Sequence, residues 1–142
     1  METPIAGYGW FIKRIDNALG KEANSNLQAL NLTMQQNRVL IHLALAEGHT
    51  LSLKTLEEHF GAAQSTVAGL VSRLEKKGLI EALSDPADRR IKLVRLTEEG
   101  LRLNALSRQQ VVASEARMTA LLTEEEKALL LSCLKRVYEA VK

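Results

Sequence analysis

The sequence lacks the features of a membrane or secreted protein. It contains one cysteine, Cys133, so no disulfide can form within the chain. No segment approaches the roughly 18 consecutive apolar residues of a membrane span, and the first residues do not form a signal-peptide pattern. The sequence therefore predicts a cytoplasmic protein. Cys133 lies in an apolar helical stripe and is interpreted as a packed residue, with a redox or intersubunit thiol as the alternative because Lys135 and Arg136 follow it.

Sequence patterns of common enzymes and metal sites are also missing. No G-x-S-x-G, H-E-x-x-H, Walker or dinucleotide-binding pattern occurs. The acidic residues are distributed as helix caps and surface charges rather than as a buried pair. His42, His49 and His59 show no metal-ligand spacing with cysteines or acids. We therefore expect a protein that is not an enzyme and that holds no metal or other cofactor.

The 142 residues, 46% of them hydrophobic, are enough for one domain with its own core. Apolar residues recur every three or four positions over residues 8–30 and again after Thr97, which predicts long amphipathic helices at both ends. Shorter helices are predicted from the capping residues Thr33 and Ser52 and from a point near Gln64. We expect the small central unit to leave the apolar stripes of the terminal helices uncovered, which predicts a symmetric homodimer.

The helix that starts near Gln64 is predicted to have two chemically different faces. Its apolar face consists of Val67, Leu70, Val71 and Leu74. The helix begins with Gln64. The residues on its opposite face and on the flanks of that face are Ser65, Thr66, Gly69, Ser72, Arg73 and Lys76. A small, hydroxyl-bearing and basic face of this kind can enter a DNA major groove that is roughly 12 Å wide. Taken alone, the face also fits an ordinary solvated helix surface.

Two predicted strands, residues 79–83 and 91–96, follow this helix and enclose a polar turn that contains Arg89 and Arg90. Asp88 can hold one guanidinium by paired charge-assisted hydrogen bonds, which leaves the other arginine extended toward a minor groove. Charge supports this interpretation, because residues 64–96 hold seven Lys/Arg against four Asp/Glu. The remainder of the chain has no positive excess. The helix and the hairpin together predict a winged helix-turn-helix that contacts DNA.

The run STVAGLVSRLEKKGLIEALSDPADRRIKLVRLTEEG resembles the recognition helix and wing of the MarR family of bacterial transcriptional regulators, most of all in LEKKGLI, DPADRR and LTEEG. The resemblance implies a mainly α fold with a small β-hairpin, in which long terminal helices form the dimerisation region. Carried over by position, it implies groove and phosphate contacts by Ser65, Thr66, Ser72 and Arg73, and a wing formed by Asp88, Arg89 and Arg90. The chain departs from the family at Gly69, where a basic or polar residue is frequent, and near Ala82, where an arginine is frequent.

We therefore expect one domain over residues 1–142. Residues 33–97 would form the DNA-binding region, and residues 1–32 and 98–142 would form the dimerisation helices. The expected function is that of a homodimeric repressor, or less often an activator, that binds a pseudo-palindromic operator in double-stranded DNA. The alternatives are a winged-helix metal sensor and a protein-interaction module that has lost DNA binding.

A small-molecule effector is implied by the same resemblance, since many members of the family release DNA when small aromatic anions bind. Candidate residues for an aromatic or phenolic effector are Trp10, Phe11, Arg14 and His42. The aromatic residues among them could instead serve core and dimer packing.

Overall fold

The computed structural model describes residues 6–142, which form six α-helices and three short β-strands. The helices are α1 (Tyr8–Ala29), α2 (Met34–Leu45), α3 (Leu53–Phe60), α4 (Gln64–Lys76), α5 (Glu98–Met118) and α6 (Glu124–Val141). The strands are β1 (Thr50–Ser52), β2 (Ile80–Ser84) and β3 (Lys92–Leu96). The predicted mainly helical fold with a β-hairpin wing is confirmed.

Helix starts follow the capping patterns in the sequence. The Thr33 hydroxyl accepts a hydrogen bond from the backbone N–H of Gln36 at 3.1 Å, and the Gln36 side chain accepts one from the N–H of Thr33 at 3.2 Å. Thr123 and Glu126 form the same reciprocal pair at the start of α6, at 3.1 and 3.0 Å. Each pair satisfies two backbone donors that the first helical turn leaves without a partner.

The three strands form one antiparallel sheet in the order β1-β3-β2. Val94 of the central strand lies opposite Leu51 of β1 on one side and opposite Ala82 of β2 on the other. Strand β1 was not predicted, because three residues are too few to show a period and their hydrogen-bonding partner is distant in the sequence. The wing hairpin is therefore anchored through β1 to the helices that precede it.

The chain divides after Gln109 into two compact units. The first has a continuous aliphatic core, to which every helix from α1 to α5 and the strands β2 and β3 contribute. The core side chains are Leu27, Leu32, Val39, Leu40, Leu43, Leu56, Val67, Leu70, Leu74, Leu79, Ile80, Val94, Leu96 and Leu103. This packing fixes α4 and the wing on one rigid base.

Gly100, in the first turn of α5, allows a close approach between that helix and the chain that enters β2. A Cβ atom at Gly100 would lie 2.1 Å from the carbonyl oxygen of Leu79 and 2.9 Å from Cδ2 of Leu96. Thr97 ties the same region together, since its hydroxyl donates to the carbonyl of Gly78 at 2.6 Å and accepts from the N–H of Gly100 at 3.1 Å. Only a residue without a side chain fits at position 100.

The second unit, residues 110–142, contains the end of α5 and all of α6, and no residue of α6 is buried. Large apolar side chains are exposed along α6, namely Leu129, Leu130, Leu131, Leu134, Val137, Tyr138 and Val141. Cys133 is also exposed, so the prediction of a packed cysteine is wrong for the single chain, because nothing within this unit covers its stripe. Within residues 6–142, no helix has the length and apolar character needed to cross a bilayer.

Candidate nucleic-acid interface

Helix α4 has the two faces that the sequence predicts. Val67, Leu70 and Leu74 are buried in the core. The polar residues Gln64, Ser65, Thr66, Ser72, Arg73 and Lys76 are exposed, and Gly69 is half-buried among them. The predicted contact residues of this helix therefore share one accessible surface.

Gly69 and Arg73 lie one helical turn apart and are in contact range. A Cβ atom placed on Gly69 would be 3.7 Å from Nη1 of Arg73, an ordinary van der Waals distance. The guanidinium therefore extends back along α4 toward its N-terminal half, over the position where the side chain is missing. Because Gly69 has no side chain, the surface of α4 is recessed at this position, and the Arg73 guanidinium lies beside the recess.

The wing contains the arginine fork that the sequence predicts. Arg90 donates from Nε to Oδ1 of Asp88 at 3.1 Å and from Nη2 to Oδ2 at 3.0 Å. Oδ1 of Asp88 also accepts the backbone N–H of Arg90 at 3.1 Å. These hydrogen bonds lower the pKa of Asp88 and raise that of Arg90, so both groups stay charged at neutral pH. The Arg90 side chain is 91% exposed, so the held guanidinium still faces solvent.

The turn that carries the fork has a defined backbone. The Asp85 side chain accepts the N–H of Ala87 at 2.9 Å, and the backbone N–H of Asp85 donates to the carbonyl of Ile91 at 3.0 Å. A contact from α4 fixes the middle of β2, because Oε2 of Glu75 accepts the N–H of Ala82 at 3.2 Å. The recognition helix and the wing are therefore joined by a direct hydrogen bond.

A groove of about 690 Å³ lies between the start of α3, the start of α4 and the wing. Gln64 and Arg90, both predicted contacts, line it together with Lys54 of α3 and Lys92 of β3. The sequence prediction missed both lysines. Lys92 comes only two residues after Arg90 in the sequence, which was a usable signal, whereas Lys54 comes near the wing only through the tertiary fold.

The candidate effector residues lie in two separate groups, with Trp10, Phe11 and Arg14 on α1 and His42 on α2. On α1, the Trp10 and Phe11 rings meet edge to face with centroids 4.9 Å apart, and Cζ of Arg14 lies 4.7 Å from the Trp10 ring centroid. His42 makes its ring contacts with His59 and Phe60 of α3, with centroids 4.8 and 5.6 Å apart. Trp10, Phe11 and Arg14 thus form an exposed cluster, which we call the α1 aromatic cluster.

Burial of His42 lowers its pKa, and the nearby His59 and Arg38 lower it further. Within residues 6–142, no three His, Cys, Asp or Glu side chains are grouped so that they could hold a metal ion. The two adjacent histidines are one protein ligand short of the three that a catalytic zinc site usually has.

Comparison with known proteins agrees with this geometry. The sequence pattern of the MarR family matches residues 30–91. An HTH-type transcriptional regulator of Bacillus subtilis, YfiV, is 33% identical over 122 residues, which are 83% of this chain and 74% of YfiV. The chain belongs to the MarR family of transcriptional regulators.

Solved structures of MarR-family proteins have the same fold. The PcaV regulator of Streptomyces coelicolor, solved with its natural ligand, is 30% identical with a TM-score of 0.65, over 100% of this chain and 99% of PcaV. S. aureus MepR in its complex with DNA has a TM-score of 0.82 at 23% identity, over 95% of this chain and 100% of MepR. At this level of identity, the match with MepR shows that the two proteins share a fold.

Proposed function

We propose that this MarR-family protein is a homodimeric, DNA-binding repressor that acts in the cytoplasm through binding and not through catalysis. The observation that carries the proposal is the placement of two DNA-compatible surfaces on one rigid unit. The exposed face of α4 suits a major groove, and the Arg90 guanidinium held by Asp88 suits the neighbouring minor groove.

Each surface makes a different kind of contact with DNA. The hydroxyls of Ser65, Thr66 and Ser72 on α4 reach base edges and phosphates, and Gly69 permits a close approach. The wing fork reaches the minor groove and the sugar-phosphate frame that borders it. Because Asp88 already fixes Arg90, that side chain loses less rotamer freedom on binding than an unheld arginine.

A second copy of the chain would cover the exposed apolar stripe of α6, including Leu130, Leu134 and Val137. Two-fold symmetry would then present two α4 helices to one side of a duplex, about 34 Å apart, which matches a pseudo-palindromic operator. MepR and PcaV are family members whose structures include DNA and a ligand, respectively, and they support both kinds of partner.

The α1 aromatic cluster is a candidate site for a small aromatic carboxylate or phenolate that releases DNA. Trp10 and Phe11 are each about half exposed, and the Arg14 guanidinium over the Trp10 ring supplies the positive charge. Trp10 is the only tryptophan, so its fluorescence reports on this site directly. Titration with benzoate or 4-hydroxybenzoate should change this fluorescence, and Arg14→Ala should weaken the response. No response with either compound would contradict this site.

DNA binding is tested by gel shift with the promoter of the protein's own gene over a salt series. Replacing Arg89 and Arg90 together by alanine should reduce the slope of log affinity against log salt by about two, because each phosphate contact contributes about 0.9. An unchanged slope would contradict the role of the wing. Failure of the wild-type protein to bind genomic fragments in dilute salt would favour the protein-interaction alternative.

A further inference from the structure

A second surface of α4 opens away from the wing. Ser72 and Glu75 line a small apolar cavity against the wing strands. Thr66 and Arg73, on the other side of the helix, line a cleft of about 350 Å³ whose opposite wall is formed by α2 and the end of α3. We call this space the α2–α4 cleft. The lining residues that bear on its chemistry are Gln35, Arg38, Phe60, Ser65, Thr66 and Arg73.

Arg38 is held in a fixed position in this cleft without a carboxylate. Its Cζ lies 4.5 Å from the centroid of the Phe60 ring, and its Nη1 donates to Oε1 of Gln35 at 3.1 Å. This differs from Arg95 and Arg102, which are paired with the carboxylates of Glu81 and Glu99. Arg38 takes part in no ion pair within residues 6–142. It is thus an oriented cation whose charge is not compensated.

The remainder of the cleft is suited to an anion with several acceptor oxygens. Ser65 and Thr66 supply hydroxyl donors, and the Arg73 guanidinium supplies a second positive charge. No ion pair of Arg73 exists within residues 6–142 either. A guanidinium that stacks on an aromatic ring keeps its remaining N–H groups available, and their fork geometry matches that of a phosphate.

We propose that Arg38 binds a phosphate of the DNA backbone on the side of α4 opposite the wing. This inference rests on the proposed function, because the phosphate would belong to a strand that borders the major groove in which α4 lies. Phe60 and Gln35 are positioning residues that hold the guanidinium. The DNA backbone would then be contacted on both sides of the recognition helix, by the wing on one side and by α2 on the other.

The test compares the full-length Arg38→Gln protein with Arg102→Gln. Both variants lose one positive charge, but the Arg102 guanidinium is already paired with Glu99. Binding to the promoter duplex and to a random duplex is measured by fluorescence anisotropy over a series of potassium chloride concentrations. Arg38→Gln should weaken both complexes about five- to tenfold at 0.1 M salt and reduce the salt slope by about one. Arg102→Gln should leave the slope unchanged.

Two further variants separate phosphate binding from simple packing of α2 on α3. Arg38→Lys keeps the charge, so it should retain the wild-type salt slope. Phe60→Leu removes the aromatic platform but no charge, so it should weaken binding with the slope unchanged. Urea unfolding of each variant verifies that the protein is folded at the assay temperature.

The outcomes distinguish this inference from the function on which it rests. If the wild-type protein does not bind DNA, the proposed function fails. If the wild-type protein binds, and Arg89 and Arg90 contribute to the salt slope while folded Arg38→Gln retains the full slope, only the role of Arg38 is overturned.

Discussion

The Asp88 carboxylate holds the Arg90 guanidinium through two parallel hydrogen bonds of 3.1 and 3.0 Å, whereas the adjacent Arg89 takes part in no ion pair within residues 6–142. The two neighbouring arginines of the wing are therefore not equivalent. The orientation of Arg90 is set before DNA arrives, and that of Arg89 is selected on contact. Charge alone does not distinguish them, but the geometry of the fork does.

Arg90→Lys should impair binding more than Arg89→Lys. A lysine keeps the charge but cannot form the fork with Asp88, so the cost is the loss of a pre-oriented side chain, about 1 kcal/mol. We expect about fivefold weaker operator binding for Arg90→Lys and less than twofold for Arg89→Lys, measured by anisotropy at one salt concentration. Equal effects would show that the fork plays no part in recognition.

Gly100→Ala should destabilise the protein, because the new Cβ would lie 2.1 Å from the carbonyl oxygen of Leu79. We expect a loss of about 1–3 kcal/mol in the free energy of unfolding, measured with urea. The matched control is Gly20→Ala in α1, where a Cβ meets nothing within 4 Å. That variant should gain up to about 1 kcal/mol, since alanine favours a helix interior. Equal stability of the two variants would contradict the close contact at Gly100.

Stability should decrease at mildly acidic pH through His42. Its pKa is held below the usual 6.5 by burial first and then by His59 and Arg38. The unfolded chain therefore takes up a proton near pH 6.5, while the folded chain resists until a lower pH. The stability that depends on neutral His42 is therefore fully present above pH 6.5. It is lost as the pH falls from 6.5 through the pKa of His42 in the folded protein. His42→Gln should make the free energy of unfolding less dependent on pH between 7.5 and 5.5, and an unchanged dependence would exclude His42 as its source.

Leu134→Glu should convert the proposed dimer into monomers. Leu134 is 43% exposed in the single chain and belongs to the apolar stripe of α6, so a second copy would bury it and a carboxylate there would lose its hydration. Sedimentation at micromolar concentration should show one subunit, and operator binding should be lost because two linked α4 helices are required. The neighbouring Lys135→Glu introduces the same residue at an exposed polar position and should remain dimeric. A monomeric wild-type protein would contradict the proposal directly.

The sequence was sufficient where interactions are local. The capping boxes at Thr33 and Thr123 join residues three positions apart, and the fork of Asp88 and Arg90 joins residues two positions apart. The two faces of α4 follow from helical periodicity alone. Each of these features depends on backbone geometry that a short segment imposes on itself, and therefore each could be predicted.

Contacts between distant segments were decided only by the tertiary structure. These include the pairing of β1 with β3, the approach of Gly100 to Leu79 and the stacking of Arg38 on Phe60. No local pattern encodes them, because each depends on how the core orients whole elements against one another. The amino-acid sequence by itself thus determined the helices, the wing and the charge that marks the DNA-facing segment. Packing of the core decided which cations flank α4, with Lys54 and Lys92 in the groove beside the wing and Arg38 in the cleft on the opposite side.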